Sequence, residues 1–344
     1  MAAADPMRRL ASLSAAAVER CGLDFSGLTV VTEAATGACV VTPVLAALAG
    51  ADRVVAVGRD SRYGSFDEVK AQTEHLAVLA GVGGRIELVN GKSRQVIAAG
   101  DVVTNSGHLR SLDRETISWM KPTAVIPLMY EAWEFRPGDV DLDACAERGI
   151  LVAGTNECHE AVDVFSYLPV MAIRALLNAD LPVYRNRIVV LCDNSFGPYL
   201  ERGLSGFGAE VIMSPTVDSV PAHVANVDAV LVSLHPRATP VLPAADVEAI
   251  AARWPGVLVC QFWGDIDRAA CHRHGLPVIP PLEPKPGHMA ILPSDAGPDS
   301  VVRLQSGGLK VGEVLSRHRR GAATTADLAF VQFLEPAHAG AHGS

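Results

Sequence analysis

Charge is scarce in this chain of 344 residues: Asp, Glu, Lys and Arg together make up 19%, and aromatic residues only 5%. The formal net charge is −9, and no basic run is longer than Arg317-His318-Arg319-Arg320. A surface that tracks a phosphate backbone needs clustered Lys and Arg, so nucleic acid is not an expected partner. The seven cysteines are an odd number, scattered, and form no Cys-x-x-Cys pair. That excludes a disulfide framework and a thiolate zinc site, and points to the reducing cytoplasm. No apolar run approaches the length needed to cross a bilayer, so no membrane association is expected. No apolar core follows Arg8-Arg9, so no secretory signal is expected either. The tail from Pro336 to Ser344 is read as frayed, and its histidines as tail residues rather than ligands.

What remains is a hydrophobic chain, 49% apolar with a mean hydropathy of +0.24. It is long enough for two domains and rich in Ala, Val, Gly and Leu, as in sheets buried on both faces. Short Val-rich runs at 28–33, 53–58, 86–89, 101–104, 124–128 and 150–153 read as strands. Segments of helical spacing, such as 40–49 and 66–79, lie between them. A long helix is expected over Glu160–Leu177. A second series of strands follows at 188–191, 211–213, 229–234, 257–261 and 277–279. Alternation of this kind predicts parallel sheets with helices on both faces. A last helix is expected within 300–315, interrupted by Gly307-Gly308.

The segment 188–214 says most about function. It reads as strand, tight turn, helix, strand, the unit that opens a dinucleotide-binding fold. In the usual Gly-x-Gly-x-x-Gly turn the first glycine permits the turn, the second lets backbone approach the pyrophosphate, and the third allows strand–helix packing. Here those positions hold Cys192, Asn194 and Gly197. Asn tolerates a left-handed backbone better than most residues, so Asn194 is expected to keep the turn shape that way. The amides of Ser195, Phe196 and Gly197 open a helix, where anions bind.

From about Lys121 to Leu234 the order of elements resembles the D-2-hydroxyacid dehydrogenases, the formate/glycerate dehydrogenase family. The resemblance is carried by Met120-Lys-Pro-Thr-Ala-Val-Ile, by Val140-Asp-Leu-Asp-Ala-Cys-Ala-Glu-Arg-Gly-Ile-Leu-Val152, by Asn156-Glu-Cys-His-Glu-Ala-Val-Asp163 and by Val230-Leu-Val-Ser-Leu-His235. It covers about half the chain well and the rest loosely. It implies two Rossmann-like, doubly wound α/β domains with an interdomain cleft: a substrate domain of residues 1–157 plus 301–344, and a nucleotide-binding domain of residues 158–300. It also implies NAD or NADP as cofactor, a small anionic substrate and a homodimer.

The resemblance carries site residues with it. Asn194, Ser195, Phe196, Gly197 and His235 are implied to contact the cofactor, with Ser214 where an acid usually binds the ribose. Pro286-Gly-His288 is similar to the segment of the acid–base histidine, with Glu283 the nearest candidate for its orienting carboxylate. Ser106-Gly107-His108 resembles the loop that holds the substrate carboxylate. Trp263 stands where the family carries its catalytic arginine, so Arg110, Arg136 or Arg268 must substitute or the substrate must differ. The connection from Trp263 to His288 is also shorter than the family's. The topology implies that His288, Lys285, Arg303 and Lys310 gather around an anion.

Other candidates come from the residues themselves. Tyr130, Glu131, Trp133 and Arg136 form a dense aromatic and charged patch after a strand, read as substrate-binding or as an interface. Glu33 to Gly37 and Arg59 to Arg62 follow strands too; a single glycine does not make a second nucleotide site, though Arg59 and Arg62 suit an anionic substrate. Cys158 and Cys192 are read as structural rather than nucleophilic. Asp265 and Asp267 lack a third ligand, so no metal site is expected. The favoured expectation is an NAD(P)-dependent oxidoreductase acting on a small carboxylate-bearing hydroxy or keto compound. The rivals are a non-redox enzyme (lyase, isomerase or hydrolase) on the same scaffold, and a non-catalytic dimeric binding protein.

Overall fold

The computed structural model describes residues 5–334; the expectation for the tail from Pro336 falls outside them. The chain divides into two compact units. One comprises the residues up to Val164 and those from Pro298 onward, the other Phe165–Gly297.

The first unit is built on a seven-stranded sheet. Its strands are β1 (Thr29–Glu33), β2 (Arg53–Gly58), β3 (Ile86–Asn90), β4 (Val102–Val103), β5 (Val125–Pro127) and β6 (Leu151–Thr155), with the last strand in the chain at one edge. Val30, Val31 and the run Val54–Val57 are wholly buried. Strands apolar on both sides can only lie between two layers of helix, which is why the pairings among these six are parallel. Strand order runs outward from β1 in both directions, β1-β2-β3 one way and β1-β4-β5-β6 the other. The switch point of this sheet is therefore at the C-terminal ends of β1 and β4.

The second unit carries a five-stranded sheet of β7 (Arg187–Cys192), β8 (Glu210–Ser214), β9 (Ala229–Ser233), β10 (Leu258–Trp263) and β11 (Val278–Ile279), all parallel. Its order is β11-β10-β9-β7-β8. The chain leaves β7 through the helix Gly197–Gly206 to β8, then crosses back to β9. This places its switch point between β7 and β9. The two doubly wound α/β sheets agree with the fold class expected from the sequence.

Three local expectations are corrected. The helix expected over Glu160–Leu177 begins only at Leu168. Asp163 has a positive φ of 49°, and the amides of Val162 and Asp163 both turn back to the His159 carbonyl, so the preceding stretch is a turn. Gly307-Gly308 does not interrupt the last helix, which runs unbroken for 22 residues over Pro298–Arg319. A Cβ on Gly308 would lie 2.5 Å from Met129 Sδ, one on Gly307 2.7 Å from Val162, and one on Gly312 2.6 Å from Val102. Bare backbone lets this helix lie close against its own unit, and that packing offsets the poor helix propensity of glycine. Finally, Val331–Phe333 forms β12, unanticipated, which pairs antiparallel with β6 from Val331↔Thr155 to Phe333↔Ala153.

Candidate functional site

The turn after β7 closes on itself. Asn194 does not adopt the left-handed backbone expected of it, since it is not among the residues with positive φ. Its side chain shapes the turn instead. Asn194 Oδ1 accepts the Phe196 amide at 3.0 Å, an Asx-type turn, and Nδ2 donates to the Ser233 carbonyl at the end of β9 at 2.8 Å. One amide that a diphosphate would use is thus already satisfied by the chain. Beside it, Asp193 Oδ1 accepts the His235 amide at 2.9 Å and lies 3.4 Å from His235 Nδ1, while Oδ2 lies 3.7 Å from Arg237 Nη2. Burial pushes the Asp193 carboxyl up, but the hydrogen bonds from His235 and Asn194 outweigh it and hold the group below its ordinary value. Burial pushes the Cys192 thiol up.

Gly197 keeps the third glycine position, yet a Cβ there would meet Met213 Cε at 3.5 Å and Cys192 Sγ at 3.6 Å, ordinary contacts. Ser214 is buried, and its hydroxyl is taken by the Thr216 carbonyl and the Ser219 hydroxyl, each at 2.8 Å. Beyond the turn, between the ends of β8 and β9, lies a pocket of about 250 Å³ whose lining includes Leu191, Thr216, Val217, Leu234, Arg237 and Val241. It sits beside the switch point, where open α/β sheets bind ligands.

Trp263, at the end of β10, is 2% exposed. It stacks on Phe196 with centroids 5.0 Å apart and meets the His235 ring at 4.9 Å; Phe165 contacts Phe196 edge-on at 4.9 Å. The indole props the turn. The loop bearing His288 is fastened to the same sheet edge: the Gly287 amide donates to Asp265 at 3.2 Å and the Ala290 amide to the Phe262 carbonyl at 3.0 Å. Asp265 is therefore a loop anchor, and among the described residues no group of three or more His, Cys, Asp or Glu could hold a metal. The structure brings Asn194–Gly197, His235, Trp263 and the His288 loop to one strand edge. Glu283 is exposed, and its charge acts on Arg268. Arg268 is itself tied to Gln261 Oε1 and to the carbonyls of Pro280 and Pro281.

In the first unit, Ser106, Gly107 and His108 lie at the end of β4, beside the end of β1. The Arg59 Nε lies 3.1 Å from His108 Nδ1; burial and then this guanidinium hold the imidazole below its ordinary value. Arg110 donates through Nε and Nη2 to the Asn105 carbonyl, both at 3.1 Å, and lies over the Tyr130 ring. Tyr130 is buried, accepting from Asn105 Nδ2 at 2.9 Å and donating to Asp139 at 2.6 Å. Glu131 is also buried; it receives the Trp133 indole, the Glu157 amide at 3.2 Å and Gln332 at 3.1 Å. Tyr130, Glu131 and Trp133 thus make internal bonds of the first unit. Arg136 acts on the half-buried Glu134, whose carboxyl is raised to about 7 by desolvation and by Glu131. Lys310 is buried within the first unit, bonded to the Gly22 carbonyl at 2.8 Å and paired with Glu313 at 2.9 Å.

Sequence reasoning passed over one residue here. Glu33, the last residue of β1, is 6% exposed, and burial raises its carboxyl to about 7 against the pull of Arg110. A Cβ on Gly107 would coincide with its Oε2, at 1.7 Å.

The fold and the placement of these residues define a class: a two-unit α/β chain with polar groups and a pocket at the switch points of its sheets. No family model matches the chain, and no curated protein matches it by sequence. Solved structures do. It is similar to a dipicolinate synthase chain from Bacillus subtilis (12% identity over 88% of this chain and 98% of that one, TM-score 0.55). It is likewise similar to the dipicolinate synthase chain from Bacillus halodurans (14% identity, 82% and 96%, TM-score 0.52). These two matches establish a shared fold. The NADPH-dependent glyoxylate/hydroxypyruvate reductase of Sinorhizobium meliloti is also among the structures it matches (14% identity, 90% and 100%, TM-score 0.46).

Proposed function

We propose that this chain is an NAD(P)-dependent oxidoreductase acting on a small carboxylate-bearing hydroxy or keto compound. The observation that carries the reading is the pocket beside the switch point of the five-stranded sheet, with the His288 loop fastened to the same strand edge. The pocket suits the adenosine half of a dinucleotide: Leu191, Val217 and Leu234 supply apolar walls and Thr216 and Arg237 polar ones. The turn suits the diphosphate less well, because Asn194 already holds the Phe196 amide. Arg237, with its side chain 69% exposed and 3.7 Å from Asp193, is the cation placed to meet the phosphates.

When bound, the nicotinamide supplies hydride transfer. His288 is the proposed acid–base group, moving a proton at the substrate's hydroxyl or carbonyl oxygen. The first unit recognises the substrate: Ser106–His108 and Arg59 receive its carboxylate. A His288→Gln variant is expected to lose on the order of 10²–10⁴ in kcat/KM with its dinucleotide dissociation constant unchanged. Full turnover in that variant removes the assignment. Homodimeric assembly in the cytoplasm belongs to the same proposal and is read by light scattering on the purified chain; no helix of the described residues is long and apolar enough to cross a membrane.

A second reading has its own support. Trp263 in the arginine's place and the self-filled turn favour a non-redox enzyme that uses the same groups without nicotinamide. It predicts turnover of a carboxylate substrate with no change in nicotinamide absorbance.

A further inference from the structure

The switch point of the first unit holds acceptors in search of a donor. The hydroxyls of Thr32 in β1 and Thr104, just past β4, bond at 2.9 Å, so the residues that follow them, Glu33 at the end of β1 and Asn105 two residues past β4, stand side by side. Among the described residues no group is hydrogen-bonded to the Glu33 carboxyl, which is 6% exposed and whose oxygens keep a little access to solvent; the charge acting on it is that of Arg110. Asn105 is wholly buried, and its Oδ1 also lacks a partner. Gly107, which is exposed, leaves the space that the Glu33 carboxyl fills. A buried carboxylate without a donor is costly, and residues that only packed the fold would lose nothing by being apolar there.

We propose that Glu33 binds a positively charged nitrogen of the substrate, so that the small compound recognised by this unit is a zwitterion, an ammonium or iminium beside a carboxylate. The inference rests on the reading of the first unit as the substrate unit. An N–H donor satisfies the orphaned Glu33 carboxyl, while Arg59, paired with His108 at the neighbouring loop, faces the opposite charge. An uncharged hydroxyl in the same place satisfies one hydrogen bond but leaves the buried charge uncompensated. The other titratable groups around Glu33 are Arg110 from the loop after β4 and the Cys39 thiol from the turn after β1, itself raised to about 12 by burial and by Glu33. Neither donates to the Glu33 carboxyl in the structure.

The test uses three probes of nearly equal size, glycine, glycolate and acetate, titrated calorimetrically into the full chain at neutral pH in two buffers of different ionisation enthalpy. Glycine is expected to bind at least tenfold more tightly than glycolate or acetate. Because an ammonium favours the charged carboxylate, and Glu33 stands near half-protonation at pH 7, glycine is expected to release up to about half a proton. Glu33→Gln is expected to bring the three probes within a factor of about two of one another and to abolish the release. Proton uptake on glycine binding, equal or tighter binding of glycolate, or no binding by any probe overturns the proposal. The proton count is read on the wild-type chain, so it stands even where the variant folds poorly. Dinucleotide titration of the wild-type chain without probes reports separately on the oxidoreductase reading.

Discussion

Replacing Glu33 by Gln should stabilise this protein in alkali and leave it nearly unchanged in mild acid. The carboxyl has an ordinary value of 4.5 and is raised by burial to about 7 in the fold. Between those two values the folded chain holds a proton that the unfolded chain has released. Stability from this group is therefore complete below 4.5 and is lost as pH rises through about 7. At ~1.4 kcal/mol for each tenfold in proton affinity, the full loss is on the order of 3 kcal/mol. Glutamine keeps the shape and has no charge to bury. Urea unfolding of both proteins at about pH 5 and about pH 8.5 measures the effect as a difference of differences. Glu131, Glu134 and Glu157 are raised by burial too, but they act in both proteins and cancel. The variant is expected to gain up to about 3 kcal/mol on the wild type between the two conditions. An unchanged pH slope, or a variant less stable than wild type at pH 8.5, would refute the reasoning.

Other substitutions probe the packing and the turn. Gly308→Ala puts a methyl 2.5 Å from Met129 Sδ and 2.9 Å from its Cα, so it should destabilise by about 1–3 kcal/mol despite the helix preference for alanine. Gly206→Ala, in a helix with nothing within 4 Å, should instead stabilise by about 0.4–1 kcal/mol; urea midpoints that move the same way for both contradict the packing account. Asn194→Gly releases the Phe196 amide and should tighten NADH or NADPH binding by up to about tenfold, the worth of one recovered hydrogen bond. Fluorescence titration reads it, and weaker binding would show that the Asx turn is itself the binding conformation. Trp263→Ala removes a 2%-exposed indole stacked on Phe196 and should cost about 3–5 kcal/mol, measured as a lowered melting temperature.

The strands were legible in the sequence because each is a short run of Val, Ala, Ile and Leu bounded by polar or glycine residues, and burial on both faces leaves no alternation to confuse. The family resemblance added the doubly wound topology. The glycine pair at 307–308 misled, because a sequence shows the poor helix propensity of glycine but not the Met129 and Val162 side chains that require it. The turn before Leu168 hid inside a run with helical composition, and β12 is too short to announce itself. The sequence suggests that Asn194 keeps the turn shape through a left-handed backbone, whereas it acts through its side chain, whose bond to Ser233 depends on a strand far along the chain. Glu33 was legible as a strand-end acid and no more. Its burial comes from Gly107 and its electrostatic partner is Arg110, neither of them near it in sequence.

The central claim is that the second unit holds a nicotinamide dinucleotide. Thermal unfolding of the purified chain with and without millimolar NADH or NADPH tests it most directly. Binding at 100 times the dissociation constant adds about 2.7 kcal/mol to stability, so at least one cofactor is expected to raise the melting temperature by several degrees, with Arg237→Ala weakening the effect. A melting temperature unmoved by either cofactor contradicts the account.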